Sequence, residues 1–426
     1  MSRRAVVVGG LRTPFARSGT VFGETTAVEM ARHAARELLA RAELDGHEVD
    51  EVAFGQVIPS VLAPNVAREV SLLPQLPRTV PAFTVNRACA SAAQAITYAH
   101  DQIVLGHADV VLAGGVESLS DIPILHSRRL SRILVAGSKA KSLRERIALF
   151  ASVRLRDLTP VSPAIAEPST GESMGQSAEK MAKENGISRD AQDRLALMSH
   201  QRAAAATADG RLTAEIAPWY SGPSMETVTA SDNGIRSETS LEALAKLNPV
   251  FDKVYGSVTA GNSSPLTDGA AAVLVMEEAK ARALGYRPLA SIRSYAVSAV
   301  DPGWQLLMGP VWAVPKALDR AGITWKHLGL VEIHEAFAAQ VLSNVQAWAS
   351  RAWAEKLGRS EPVGEVDWER TNVMGGSIAV GHPFGATGAR LVTTLANEMA
   401  RRDVQFGLIS ICAQGGMGAA MVLERV

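Results

Sequence analysis

Ala90-Ser-Ala-Ala-Gln-Ala-Ile-Thr-Tyr-Ala-His-Asp-Gln-Ile-Val-Leu105, followed after a short link by Asp109-Val-Val-Leu-Ala-Gly-Gly115, is the stretch on which the fold turns. Residues 90–105 carry small and apolar side chains at helical spacing. Residues 109–113 form an apolar run short enough for a buried strand, closed by Gly114-Gly115. The order returns near the end of the chain, where 385–402 reads as a helix and 407–412 as a strand closed by Gly415-Gly416. Working outward, 5–8 is a strand closed by Gly9-Gly10. Residues 26–41 form a helix with Val28, Met30, Ala31, Ala34, Leu38 and Leu39 on its spacing, and 52–57 is a second strand. Further on, 289–294 and 330–333 are strands, and 311–321 is a helix ending at Gly322. Each half runs strand, helix, strand, special loop, helix, strand, Gly-Gly. An internally duplicated α/β fold is the economical reading, against the plainer one that any two α/β halves look alike at this level.

Between the halves the texture changes. From about 121 to 252 the alternation stops, and Pro160, Pro163, Pro168, Gly171 and Gly175 mark a loop-rich stretch before helices at 178–184 and 189–208. The expected organisation is an N-terminal half (1–121 with 253–288), an inserted loop domain (122–252) and a C-terminal half (289–426). The insertion opens with a basic stretch, 128–156, whose Lys and Arg residues are opposed only by Glu145, with Leu143, Ile147 and Phe150 on one helical face. Such a segment meets a partner, a membrane surface or an anionic ligand, or is simply a solvated face.

The 426 residues hold 43 Lys+Arg and 43 Asp+Glu, so no global field attracts phosphate and a nucleic-acid partner is not expected. The N-terminus, Met1-Ser-Arg-Arg, moves straight into a strand, and no apolar stretch has the length and purity of a signal peptide or membrane span. A cytoplasmic protein in a reducing compartment is expected, with peripheral membrane contact through 128–156 as one use of the basic stretch. Only two cysteines are present, Cys89 and Cys412, which excludes a disulfide scaffold and a four-Cys zinc site.

Both cysteines fall at loops. Cys89 ends Val85-Asn-Arg-Ala-Cys89 at the start of an Ala-rich helix, where free N–H groups and the helix dipole favour a thiolate; alone, a Cys among alanines is more often a small core residue. His334 follows the strand 330–333, at the strand end where α/β sheets bind ligands. His382 sits in the loop Gly375-Gly-Ser-Ile-Ala-Val-Gly-His-Pro-Phe-Gly-Ala-Thr-Gly388, whose spacing does not match a dinucleotide fingerprint. Cys412 ends the strand before Ala413-Gln414-Gly415. A Cys₂His₂ zinc site competes for these residues but lacks the short paired spacings such sites show, so no metal is expected.

Asn86-Arg-Ala-Cys89, His334-Glu-Ala-Phe337, Gly381-His-Pro383 with Gly385-Ala-Thr-Gly388, and the Cys412 block resemble the active-site motifs of the thiolase family, in order and over essentially the whole chain. Gly256-Ser-Val-Thr-Ala-Gly-Asn262 and Thr267-Asp-Gly-Ala-Ala-Ala272 look like the segment where the family's insertion returns to the core. His334, where many relatives have Asn, together with the basic insertion and Arg156-Asp-Leu-Thr-Pro160, looks like the thiolase (β) subunit of fatty-acid oxidation complexes. The resemblance implies two mixed five-stranded sheets with shared central helices in five layers, plus the inserted loop domain. It implies degradative 3-ketoacyl-CoA thiolysis, with an acetoacetyl-CoA or biosynthetic thiolase, or a non-catalytic acyl-CoA-binding protein, as alternatives. Condensing synthases share the duplicated fold but use one Cys and two His, so Cys412 argues against them.

The implied roles are Cys89 as nucleophile, His382 as its base, Cys412 as acid and base, and His334 with His382 around the enolate oxygen. The backbone N–H groups of Cys89 and Gln414 would form the second oxyanion hole. Gln414 stands where the family has Gly, which restricts it if that position needs a positive φ. Met174, Ser264, Ala336 and Phe337 would line the substrate site. Coenzyme A enters as co-substrate, with no tightly bound cofactor. A homodimer and a multifunctional enoyl-CoA hydratase/3-hydroxyacyl-CoA dehydrogenase subunit are the expected partners.

Overall fold

The structure, a computed structural model, describes residues 3–160, 166–222 and 224–426. Met1, Ser2 and Pro163 of the sequence reading lie outside the described residues. Five strands of the first half run in the order Ala82–Val85, Glu51–Gly55, Val110–Glu117, Thr267–Glu277, Ala5–Arg12, and four of the second in the order Leu330–Ile333, Phe406–Ala413, Met417–Glu424, Ala290–Ala299. Glu51–Gly55 pairs parallel with Val110–Glu117, and Leu330–Ile333 parallel with Phe406–Ala413; the two pairings that follow in each half are antiparallel. The duplication expected from the sequence is thus present in strand order and in strand direction.

Two details differ from the expectation of separate five-stranded sheets. The halves join edge to edge, Val6 pairing with Ser291 and Val7 with Ala290, so the hydrogen bonding is continuous. The fifth position of the second half is a single parallel bridge from Val331 to Thr371. Asn372 stops a strand there. Its φ is +47°, and its amide side chain accepts the Ile333 N–H at 2.7 Å and donates to the Ile333 carbonyl at 2.9 Å, filling the slot a further strand would use.

Alternation along the strands divides the core. Val7, Val111, Val273, Ile409 and Met421 face a central layer, while Val6, Leu112 and Leu274 face one outer layer and Leu408 and Val422 the other. The central layer holds the helices Ser91–Leu105 and Thr387–Arg402; the outer layers hold Ala27–Arg41 and Pro310–Ala321. Thr26 and Glu29 form a capping box at the start of Ala27–Arg41, and Gly322 ends Pro310–Ala321 at φ +71°. The central helices touch through backbone: a Cβ on Gly388 would lie 2.5 Å from the Ala93 nitrogen. A Cβ on Gly55 would lie equally close to the Ser91 carbonyl carbon.

Some strand ends are corrected. Val110–Glu117 runs on through Gly114 and Gly115 rather than closing there. Those glycines are sites of close packing: a Cβ on Gly114 would reach the Phe54 ring at 2.8 Å, and Gly115 lies against the Gly385 carbonyl. Cys412 does not end the last strand, because Gly415 and Gly416, at φ +84° and +72°, make a hairpin turn into Met417–Glu424.

In the insertion, helices Met174–Glu184 and Arg189–Ala208 lie near where they were expected. A short hairpin, Trp219–Ser221 with Thr227–Thr229, was not foreseen. The basic stretch forms two helices, Arg128–Lys139 and Leu143–Ala151, started by the side-chain caps Ser127 and Ser142. Phe150 packs toward Gly137, yet Leu143 and Ile147 remain 72% and 62% exposed. Among the described residues no helix is long and apolar enough to cross a membrane. On these elements we propose the division of the chain into two halves and an inserted loop domain given above.

Candidate active site

The strand Ala82–Val85 delivers the chain to Cys89 through a tight turn. Ala88 has φ +46°, a conformation that costs a non-glycine residue roughly 1–2 kcal/mol. Local hydrogen bonds hold it: Ala88 N–H donates to Asn86 Oδ1 at 2.9 Å, Arg87 N–H to Ser91 Oγ at 2.8 Å, and Ser91 Oγ–H to the Ala88 carbonyl at 2.6 Å. His382 follows Gly381, whose φ of +109° turns the loop, and its N–H donates to Thr267 Oγ1 at 3.0 Å. Buried Glu117 ties two of the site's loops together, accepting the N–H groups of Val57, Ile58 and Gly385 at 2.9–3.1 Å. Glu335 does the same for the loop before His382, accepting from Ser199, Asn372 and the Ile378 N–H.

These loops converge. His382 Nε2 lies 3.2 Å from Cys89 Sγ, and His382 Nδ1 lies 2.6 Å from Thr387 Oγ1. His334 lies beside His382 with ring centroids 4.1 Å apart and ring planes tilted by 52°, and its Nδ1 is 2.8 Å from Ser377 Oγ. The backbone N–H groups of Cys89 and Gln414 lie near the Cys89 sulfur and favour its thiolate. A cavity of about 90 Å³ opens here, lined by Cys89, His382, Cys412, Gln414, Met174, Ser264, Ala336 and Phe337 together with Leu266, Leu307 and Phe384. Of the expected site residues only His334 is off its wall, fully buried behind His382. Gln414 needs no left-handed backbone: the positive φ values fall on Gly415 and Gly416. Its side chain donates to the Ala166 carbonyl at 2.8 Å, which anchors the turn to the insertion.

Burial dominates the electrostatics. It pushes the Cys89 thiol up to about 12, although the Gln414 and Cys89 N–H groups pull the other way. Cys412 is likewise pushed well up, by burial and by Cys89. Burial and then Arg390 bring His382 down to about 3; burial, His382 and Arg390 push His334 far down. The expectation of a resting thiolate at the helix start is therefore corrected. The dipole at a helix end contributes about 0.3–1 kcal/mol, less than the desolvation that pushes the thiol up and the imidazole down, which favours a resting pair of thiol and neutral imidazole.

Cys89, His334 and His382 each bring one ligand atom within 4.8 Å of the others. Cys412 is not in that group, so the four donors of a Cys₂His₂ zinc site do not come together. Sequence reading assigned no role to Ser377, Thr387, Arg390 or Glu117. The first three lie at or just beyond the quoted Gly-rich loop, and an Arg placed among apolar helix residues is the signal that a buried partner is near.

The paired thiols, the Cys–His contact and the converging N–H groups define a site for acyl transfer through a thioester. Residues 5–279 match the family model for the N-terminal domain of thiolase and residues 286–425 that for its C-terminal domain. The chain is 51% identical over 422 residues to a 3-ketoacyl-CoA thiolase of Yersinia pestis (strain Pestoides F), covering 99% of this chain and 97% of that one, and equally to that of Yersinia pseudotuberculosis serotype O:1b (strain IP 31758). A solved structure, the Bacillus anthracis acetyl-CoA acetyltransferase, superposes with a TM-score of 0.85 at 33% identity, covering 100% of this chain and 99% of that one. The chain belongs to the thiolase family, and it is an acyltransferase.

The protonation state can be read by alkylation. Iodoacetamide should modify Cys89, which is partly exposed, before Cys412, which is 1% exposed. With the thiol pushed up to about 12, the rate should climb with pH through pH 9, because only the thiolate reacts. A plateau already reached at pH 7 would reveal a preformed thiolate and contradict the neutral pair.

Proposed function

We propose that the protein is a degradative 3-ketoacyl-CoA thiolase, cleaving a 3-ketoacyl-CoA with coenzyme A into acetyl-CoA and an acyl-CoA two carbons shorter. The observation that carries this reading is the presence of Cys89, His382 and Cys412 on one cavity, with the Cys89 sulfur 3.2 Å from His382 Nε2. The 51% identity to 3-ketoacyl-CoA thiolases supports the degradative direction over the acetoacetyl-CoA or biosynthetic alternative, which rests on 33% identity to an acetyltransferase.

In this mechanism His382 takes the Cys89 proton as the sulfur attacks the 3-keto carbon. The neutral resting pair suits that step, since no desolvated ion pair has to be maintained before substrate arrives. The new oxyanion accepts from the N–H groups of Cys89 and Gln414, which already converge on the sulfur. The C2–C3 bond then breaks. Its electrons pass to the acetyl-CoA enolate, whose oxygen is held by His382, now protonated, and by His334, directly or through a water. Cys412 protonates C2 and acetyl-CoA leaves. Coenzyme A gives its proton to the Cys412 thiolate and attacks the acyl-Cys89 thioester, and the imidazolium of His382 returns its proton to the departing Cys89 sulfur. Met174, Ser264, Ala336 and Phe337 would contact the substrate. Coenzyme A serves as co-substrate, and no step calls for a tightly bound cofactor.

The expected setting is cytoplasmic, as a homodimer associated with a multifunctional hydratase/dehydrogenase subunit. The basic hairpin Arg128–Lys139 and Leu143–Ala151 is the proposed contact with that subunit, its exposed Leu143 and Ile147 flanked by Arg144 and Arg146. An anionic membrane surface is the second reading of the same chemistry.

Cys412→Ala should leave Cys89 able to accept an acyl group but lower thiolysis by about 10²–10⁴, the usual worth of a general acid–base. Near-normal turnover, followed at the 3-ketoacyl-CoA absorbance, would contradict the assignment. Arg144→Glu combined with Arg146→Glu should weaken association with the partner subunit more at low salt than at high salt. Unchanged pull-down and vesicle binding at every salt level would leave the hairpin a solvated face.

A further inference from the structure

The two neighbouring histidines are held differently, and the difference fixes which nitrogen of each carries its proton. A neutral imidazole has one N–H and one lone pair, and the partner of one nitrogen decides the state of the other. For His382 the partner of Nδ1 is Thr387 Oγ1 at 2.6 Å. That hydroxyl donates its own hydrogen to the Pro383 carbonyl at 2.9 Å, so toward His382 it accepts. His382 is then the Nδ1–H tautomer, and Nε2 turns a lone pair to Cys89 Sγ, as a base requires.

For His334 the partner of Nδ1 is Ser377 Oγ at 2.8 Å. Arg390 Nη2 donates to the same hydroxyl at 3.0 Å, and Arg390 Nη1 is held in turn by buried Glu332 at 3.3 Å. A guanidinium can only donate. Were His334 to donate as well, the Ser377 hydrogen would have no acceptor among the described residues in a fully buried site, which is unfavourable. The arrangement that satisfies the Ser377 hydroxyl and His334 Nδ1 together runs from Arg390 to Ser377 to His334 Nδ1. It leaves the His334 proton on Nε2, a buried atom with no hydrogen-bond partner among the described residues.

We infer that Ser377, oriented by Arg390, is a positioning residue that holds His334 as the Nε2–H tautomer, so that the neighbouring imidazoles offer an acceptor to Cys89 and a donor for the enolate oxygen, directly or through a water. The use of that donor rests on the thiolase reading: the enolate oxygen needs an N–H, and the other tautomer would meet it with a lone pair. Thr387 plays the complementary part for His382, and exchanging the two tautomers would leave Cys89 without a base.

The test is nitrogen NMR of the full chain labelled with [¹⁵N]histidine, with His334→Asn used to assign the ring signals. In the wild type, His334 should show a protonated Nε2 and an unprotonated Nδ1, and His382 the reverse. Ser377→Ala should shift the His334 signals toward the other tautomer and lower kcat for thiolysis roughly ten- to a hundredfold with KM little changed, a loss no larger than that of a removed oxyanion donor. The alkylation rate of Cys89, which reports on His382, should hold. A wild-type His334 protonated on Nδ1 would overturn the inference, as would a Ser377→Ala variant with unchanged ring signals and kcat. The wild-type spectrum decides the tautomer even if the variant folds poorly. If the wild type thiolysed no 3-ketoacyl-CoA, the functional reading would fall while the spectrum still answered the tautomer question.

Discussion

The backbone contact between the two central helices is the constraint on which the site depends. With Gly388 against Ala93, the starts of Ser91–Leu105 and Thr387–Arg402 come close enough for the loops ahead of them to meet. One loop carries Cys89 and the other His382, which meet at 3.2 Å, and a side chain on Gly388 would push the helices behind them apart. Gly55 and Gly115 extend the same logic to the sheet, letting Ser91 and Gly385 rest on strand backbone. Duplication supplies the rest: each half contributes one strand–loop–helix passage, and stacking them back to back puts a thiol from one half beside an imidazole from the other.

Close packing also sets the chemistry. A site tight enough to align these groups is poor in water, so every ionised form in it is disfavoured. Burial pushes both thiols, Cys89 and Cys412, up and both imidazoles, His334 and His382, down, which favours the neutral form of each before substrate arrives. Fixed donors then do what solvent would do elsewhere, and the converging N–H groups of Cys89 and Gln414 are the clearest instance.

Much of this was legible in the sequence. The repeated helix–strand–Gly-Gly order exposed the duplication, and the four motif segments carried Cys89, His334, His382 and Cys412. Three things were not legible, for physical reasons. Glycines inside Val110–Glu117 read as strand ends, because periodicity cannot tell a turn from a close approach. The thiolate expectation followed the local helix start and could not see the burial that outweighs it. The missing fifth strand depends on one side chain, Asn372, acting as backbone for Ile333, a tertiary contact with no local signature.

The central claim is that Cys89 carries the acyl group between two half-reactions. It is tested most directly by mixing the protein with a 3-ketoacyl-CoA in the absence of free coenzyme A, then weighing the intact chain and its peptides. The account predicts a mass gain equal to the acyl group two carbons shorter, confined to the peptide bearing Cys89, with acetyl-CoA released in equal amount. No adduct, or an adduct on Cys412, would contradict it.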